Sequence, residues 1–328
     1  MKYINFQEAY LHNLNDVYYS PEFINMPRGY KSKEKLNLSF TITDPIDRIC
    51  CLKSRKTNII FNFAEALWYL SGSNELSFIE YYAKNMRKYS ADGVTLKGTA
   101  YGPKIFSYGK NHINQWDRLI EVFKEDVDSK RALITIFDPN ENLLLKNIDV
   151  SCTIGLQFFI RNDALFLTTF MRANDAYRGM ISDVFSFTFI QEMLATQLGL
   201  KMGEYCHNVA TVHVYETDNA KVEDLLSQPI EKSDKWIFPS MPCGNNWDSV
   251  KTVLLFEKQL RENKISLNLE KIHDIEIEPY WKQVIILFAL YQHIMYKSQI
   301  DYTLFNELIP LYQYLVKCKW SELFEEVK

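Results

Sequence analysis

Cysteine, arginine and aspartate stand at short intervals between Asp149 and Asp183, in DVSCTIGLQFFIRNDALFLTTFMRANDAYRGMISD. These types can supply a nucleophilic thiolate, an anion-binding guanidinium and carboxyl groups that accept or pass on protons. Cys152 is the candidate nucleophile. Arg172, 20 positions later, opens the polar segment RANDAYRG, which leads through Asp175 to Asp183. Something must bring these side chains together, and the pattern supplies it. The runs Thr153 to Arg161 and Ala164 to Arg172 flank the turn residues Asn162 and Asp163, which predicts a hairpin. An apolar helical pattern then runs from Val184 to Leu200. One hairpin and its exit therefore place Cys152, Arg172, Asp175 and Asp183 in one region.

Other candidates carry a plain structural reading beside a functional one. Glu65 sits among Phe63, Ala64, Ala66, Leu67 and Trp68 in a helical stretch from Asn62 to Leu70. Burying a carboxylate there is costly without partners, so an exposed glutamate on a buried helix and a functional acid fit the pattern alike. Arg28, between Pro27 and Gly29 in the loop NMPRGYKSKEK, reads most simply as a solvated arginine. Lys130 and Arg131 open a strand, Ala132 to Phe137, as surface charge or as a phosphate clamp. His213 and Tyr215 share one face of a strand from Asn208 to Tyr215 that follows a loop. A Cys/His hydrolase using Cys152 with His207 or His213 is a weak signal, as is a metal site at Cys206, His207 and His213, which lacks a second set of ligand-like spacing.

The remaining elements form a frame. Residues 1 to about 20 show helical spacing, and Leu36, Leu38, Phe40 and Ile42 alternate as in a half-buried strand. Residues 75 to 89 continue a helix, ADGVTLKGTAYG forms a loop ending at Tyr101 and Gly102, and Asn114 to Glu125 is helical. Past residue 246 helices dominate, at Trp247 to Arg261, Glu278 to Tyr296 and Tyr302 to Phe324. With 328 residues, 47% apolar, the chain can bury a substantial core. A net charge of −4 argues against general nucleic-acid binding. The N-terminus lacks a signal-peptide core, no run reaches membrane-spanning length, and the six cysteines lack CxxC spacing. Reduced thiols in the cytoplasm are the expectation, with neither a metal nor a membrane partner.

Together these residues resemble the thymidylate synthase superfamily. The resemblance runs from residue 20 to about 220, through the AEALWYL helix, the YG dipeptide, the cation pair, the nucleophile strand, R-x-N-D-x-x-x-G and the H-x-Y strand. It implies an α+β thymidylate-synthase fold, a mixed β-sheet covered by helices with a helical C-terminal extension. Residues 1–245 would be the catalytic domain and 246–328 a helical subdomain. Cys152 matches the family nucleophile, which adds to C6 of a pyrimidine. Glu65 matches the acid serving proton transfer and the folate, Tyr101 the active-site wall, and Asp175 and Gly179 folate-side positions. Arg28 and Arg172 resemble phosphate ligands of one subunit and Lys130 and Arg131 those lent by its partner, so a homodimer is implied. His213 and Tyr215 match the readers of the sugar hydroxyl. The co-substrate would be 5,10-methylenetetrahydrofolate.

Three departures refine the expectation. Asp183 stands where uracil-using members carry asparagine, and a carboxyl group can accept from the cytosine N4 amino group while sharing a proton with N3. An N-cap aspartate opening the next helix is compatible with that role. The loop AKNMRKYSADGVTLKG lacks the tryptophan that methylating members use, and no C-terminal folate clamp is recognisable in LFEEVK, which favours water over hydride as the final acceptor. Ala173 replaces a phosphate-binding serine and Lys130 an arginine, each change removing donors that would pin the phosphate. The pattern is similar to the CMP 5-hydroxymethylases of nucleoside-antibiotic and bacimethrin-type pathways. The expected reaction turns CMP into 5-hydroxymethyl-CMP. The alternatives are dCMP hydroxymethylation, C5 methylation and a nucleotide-binding module without turnover.

Overall fold

Asn and Asp accept a left-handed backbone more readily than other residues with side chains. In the computed structural model Asn162 and Asp163 adopt it, with φ of 52° and 57°. They join antiparallel strands whose ends face each other at Arg161 and Ala164, a turn that matches the strand twist. The structure describes residues 1–228 and 236–324.

In chain order the first half holds β1 (Lys2–Tyr3), α1 (Phe6–Tyr19), β2 (Phe23–Asn25), β3 (Ser32–Ile42), α2 (Ile59–Leu70), α3 (Leu76–Tyr82), α4 (Tyr101–Phe106), α5 (Gln115–Glu125) and β4 (Leu133–Thr135). Then come β5 (Thr153–Arg161), β6 (Ala164–Met171), β7 (Asn174–Asp175), α6 (Met180–Leu198), β8 (Lys201–Tyr215) and α7 (Asn219–Ser227). The last stretch is helical: α8 (Trp247–Arg261), α9 (Leu269–His273), α10 (Pro279–Lys297), α11 (Tyr302–Glu307) and α12 (Pro310–Lys319). Side-chain caps fix several starts, with Asn5, Asn58 and Asn114 accepting from the backbone N–H three residues on.

The strands form one mixed sheet in the order β1-β3-β8-β6-β5-β4, with β2 on β3 and β7 on β8. Parallel β6 and β8 are joined by α6, the crossover such a pair requires. Helix α6 lies between the sheet and α2 and is buried along most of its length. Gln191 on it donates to the carbonyls of Leu165 and Gly203, tying α6 to both strands. Phe63 of α2 meets Phe185 edge-on at 5.3 Å. Buried Arg48 and Glu192 pair at 2.5 Å, and Glu192 also accepts from the Met241 N–H. The other sheet face carries Phe159 opposite Phe166, with Phe170 left 38% exposed. Among the described residues, no helix is long and apolar enough to cross a membrane.

Several elements differ from the expectation. The helix proposed for 75–89 stops at Ala83 and gives way to a 3-10 turn. The expected loop before Asn208 is strand, because β8 pairs with β6 from Lys201 onward. The strand at 132–137 is regular only from Leu133 to Thr135. Strand β3 begins at Ser32; it buries Phe40 and Ile42 but leaves Leu36 43% exposed. The helix proposed for 302–324 breaks before Pro310, whose ring prevents continuation and instead starts α12. Glu325 to Lys328, within the LFEEVK segment, lie outside the described residues.

Candidate functional site

A cavity of about 480 Å³ opens between the start of β3, the loop before β5 and the far ends of β6 and β8. Arg28, Arg172, Ala173, His213 and Tyr215 line it. Arg28 holds a left-handed backbone, φ 55°, in the turn before β3. The β3–β8 register sets Glu34 beside His213 and Ser32 beside Tyr215, and the His213 and Tyr215 rings meet edge-on at 4.8 Å. Burial lowers the His213 pKa, with Asp175 and Glu34 acting against it. Asn25, Ser32, Glu34 and Thr211 are among the lining residues that were not foreseen. Asn25 donates to Glu34 (2.6 Å), Ser32 to Asn25 (2.5 Å), and Thr211 bonds Glu34. No motif marked them; the lysine-rich alternation of β3 hid a polar face that only strand pairing reveals.

Arg172 carries the cavity to the thiol. Its Nε donates to the Ser151 carbonyl at 2.8 Å, while Nη2 donates to the Val150 carbonyl at 3.0 Å and lies 3.7 Å from Cys152 Sγ. Burial raises the Cys152 pKa and Arg172 opposes that rise. The backbone before the thiol is firmly held. Asp149 accepts from the N–H groups of Lys97 (2.6 Å), Gly98 (2.9 Å) and Thr99 (2.7 Å), and a Cβ on Gly98 would come within 2.1 Å of the Asp149 carbonyl oxygen. The buried Lys104–Glu141 pair reaches Ser151, whose N–H donates to Glu141 at 2.7 Å.

Behind the thiol the site is more enclosed. Asp183 lies in the first turn of α6, whose N-cap is Gly179, so the N-cap reading of Asp183 is wrong. Its Oδ2 accepts from Asn174 Nδ2 at 2.7 Å. Burial raises its pKa to about 7, and the Asn174 bond works against the rise. Glu65 is buried, 7% exposed, which removes the exposed-glutamate reading. Its pKa rises to about 8, first through burial and then through Asp183, with hydroxyls of Ser182 and Ser186 opposing. Tyr101 stacks on Tyr69 at 4.7 Å and accepts from Thr153, the neighbour of Cys152, at 3.1 Å. Gly102 permits this, since a Cβ there would stand 2.9 Å from the Tyr69 carbonyl oxygen.

Asp175 closes a turn, its Oδ1 accepting from the N–H groups of Tyr177 (3.0 Å) and Arg178 (2.8 Å). A Cβ on Gly179 would meet Asn174 Nδ2 and Asp183 Oδ2 at 3.3 Å each, so Gly179 lies against their hydrogen bond. Lys130 and Arg131 are not brought in. Both are exposed outside the cavity, and Arg131 lies 4.0 Å from Glu125. Among the described residues, no group of three or more His, Cys, Asp or Glu could hold a metal. His207, considered for hydrolase and metal chemistry, instead sits buried against Asn174 (3.1 Å) and Tyr205 (2.7 Å). The arrangement suits thiol addition to an electrophilic ring, with two carboxyl groups able to hold protons near neutral pH and cations placed for an anionic tail.

A family model described as thymidylate synthase matches residues 9–283, reaching well past residue 220 into the C-terminal helices. The chain is 33% identical over 211 residues to the deoxyuridylate hydroxymethyltransferase of Bacillus phage SP01, covering 61% of this chain and 55% of that protein. To the protein of the same description from Delftia phage PhiW-14 it is 31% identical over 227 residues, 65% of this chain and 60% of the relative. A thymidylate synthase of Leuconostoc mesenteroides is 28% identical over 134 residues, 40% of this chain and 41% of that one. The chain thus spans little more than half the length of the two phage relatives.

Proposed function

Because the chain belongs to the thymidylate synthase family, we propose that it is a folate-dependent C5 hydroxymethyltransferase whose base is cytosine, converting CMP, 5,10-methylenetetrahydrofolate and water into 5-hydroxymethyl-CMP and tetrahydrofolate. The phage relatives support hydroxymethylation as the outcome, and their description names deoxyuridylate. The observation that carries cytosine is Asp183, a half-buried carboxyl whose pKa desolvation raises to about 7, at the position that would face the base. Half-protonated at neutral pH, it can give a proton to N3 and accept from the N4 amino group.

The residues divide the work. Cys152 adds to C6 while Asp183 moves its proton towards N3, which withdraws electrons from C6 and lets the charge that forms reside on the ring. The folate supplies a one-carbon unit at the oxidation level of formaldehyde. Glu65, kept protonated by burial, serves as the acid and then as the base for the water that ends as the hydroxyl. Asp175 Oδ1 accepts from the N–H groups of Tyr177 and Arg178, and Oδ2 takes the N–H groups of a pterin. Arg28 and Arg172 take the phosphate, and His213 and Tyr215 the sugar. Lys130 and Arg131 complete the phosphate site from a second copy of the chain, docked on the sheet face that carries Phe159, Phe166 and Phe170.

The test is mass spectrometry of nucleotides after incubation with methylenetetrahydrofolate and equimolar CMP, dCMP, UMP and dUMP. A gain of one CH2O unit on CMP is the expected result. Modification of dUMP or UMP instead would overturn the base, modification of dCMP the sugar, and a gain of CH2 the water step.

A further inference from the structure

The Asp183 carboxyl is the end of a buried hydrogen-bonded chain that the reaction scheme leaves without a role. Asn174 Nδ2 donates to Asp183 Oδ2 at 2.7 Å. Asn174 Oδ1 lies 3.1 Å from His207 Nε2, and His207 Nδ1 lies 2.7 Å from the Tyr205 hydroxyl. Asn174, Tyr205 and His207 are all buried. Burial lowers the His207 pKa to about 3, so the imidazole is neutral and carries one proton. With the Asn174 carbonyl oxygen on one side, that proton belongs on Nε2, and Nδ1 accepts from Tyr205. Every donor then points the same way, from Tyr205 through His207 and Asn174 to Asp183. The strands support this order, because β8 carries Tyr205 and His207 with both side chains inward, and β7 sets Asn174 opposite Val212 of β8, from where its side chain reaches His207. Gly179 adds its bare Cα, since any Cβ there would press on the Asn174–Asp183 bond.

We propose that Asn174 and His207 are positioning residues that fix which oxygen of Asp183 presents the acid proton to the base. The inference rests on Asp183 reading the base. A carboxyl oxygen that already accepts an N–H is favoured as the carbonyl oxygen, so in the neutral acid the proton resides on Oδ1. Asp183 then offers a donor at Oδ1 and an acceptor at Oδ2. Cytosine complements that polarity with N3 against Oδ1 and the N4 amino group against Oδ2. Uracil in the same pose sets N3–H against the acid proton and O4 against an acceptor, two repulsive contacts. A carboxyl without the Asn174 donor could carry its proton on either oxygen and pair with either base. The chain therefore turns a symmetric side chain into a one-way reader.

The titratable groups around Asp183 are Glu65 on α2, Asp175 at the end of β7, the Cys152 thiol, and the Tyr69, Tyr101 and Tyr205 phenols. None of them replaces the Asn174 donor. The experiment measures kcat and KM for CMP and UMP across pH in the full-length protein and in Asn174→Ala, His207→Phe and His207→Gln. In Asn174→Ala and His207→Phe the CMP-to-UMP ratio of kcat/KM should fall about tenfold, the scale of one buried hydrogen bond. The alkaline limb of the CMP profile should also move to higher pH, because the ionised carboxylate has lost a donor and the competent neutral acid persists further. His207→Gln, whose amide can still donate towards Asn174, should restore both. Equal losses for the two bases with an unmoved pH limb would overturn the proposal and leave a mere packing role. If His207→Phe fails to fold, Asn174→Ala and His207→Gln decide alone. A wild-type preference for UMP would overturn the cytosine reading itself, and the pH limb would still report on the chain.

Discussion

The two ends of the site hold their charges in opposite ways. At the outer end, Arg28, Arg172 and His213 face an open cavity whose walls come from the start of β3, the loop before β5 and the end of β8. At the inner end, Glu65 of α2 is buried and Asp183 of α6 half-buried, with few donors about them. Water and counter-ions screen the outer guanidiniums, which suits that end to binding an anion, and burial lowers the pKa of His213 there. The inner carboxyls titrate near 7 and 8 because burial penalises their charge. In the proposed reaction binding thus belongs to the open end and proton chemistry to the closed one, and Cys152 stands where they meet.

The sharpest way to break this division is at the meeting point. Cys152→Ala should abolish exchange of the C5 hydrogen of CMP, a loss of about 10⁴-fold or more, while nucleotide affinity stays near wild type because the outer cations are untouched. Exchange surviving in that variant, followed by tritium release, would sink covalent addition. Glu65→Gln comes next, with kcat falling by about 10²- to 10⁴-fold and little change in CMP affinity. It also has a signature in stability. The folded pKa of Glu65 is about 8 against about 4.3 in an unfolded chain, so the folded state binds the extra proton. That contribution is complete below about pH 4 and disappears as pH rises through about 8. Thermal melts at pH 6 and pH 9 should therefore differ less for Glu65→Gln than for wild type. An unchanged difference would mean that Glu65 is not the buried acid.

The division also shows what was legible in the sequence. The hairpin, its turn and the helix after it follow from local alternation and turn chemistry, which is why Cys152, Arg172 and Asp183 could be grouped at once. Glu65 was visible as a carboxyl in an apolar run, but whether it faced inward depended on α6 packing over it, a non-local fact. The Asn174–His207 connection joins residues 33 positions apart through a parallel pairing of β7 and β8, and neither residue type announces it. Pro310 did announce the break between α11 and α12. Lys130 and Arg131 remain apart from the cavity in a single chain, which the resemblance had assigned to a second copy.

The smallest predicted effect tests the open end. Ala173 lies in the cavity wall next to Arg172, where a serine hydroxyl would give the phosphate one more donor, and arginine in place of Lys130 would add a planar fork from the proposed second copy. Both changes pull the phosphate deeper, and the sugar, tethered to it, has less room for a 2′-hydroxyl beside Thr211 and His213. Combined Ala173→Ser and Lys130→Arg should shift the ratio of kcat/KM from CMP towards dCMP by roughly five- to tenfold, about the worth of one or two hydrogen bonds. The effect should appear mainly in KM, because the closed end is unaltered. A shift in kcat with KM unchanged would mean that the two ends are coupled more tightly than their geometry implies, and the separation of binding from proton transfer would have to be abandoned.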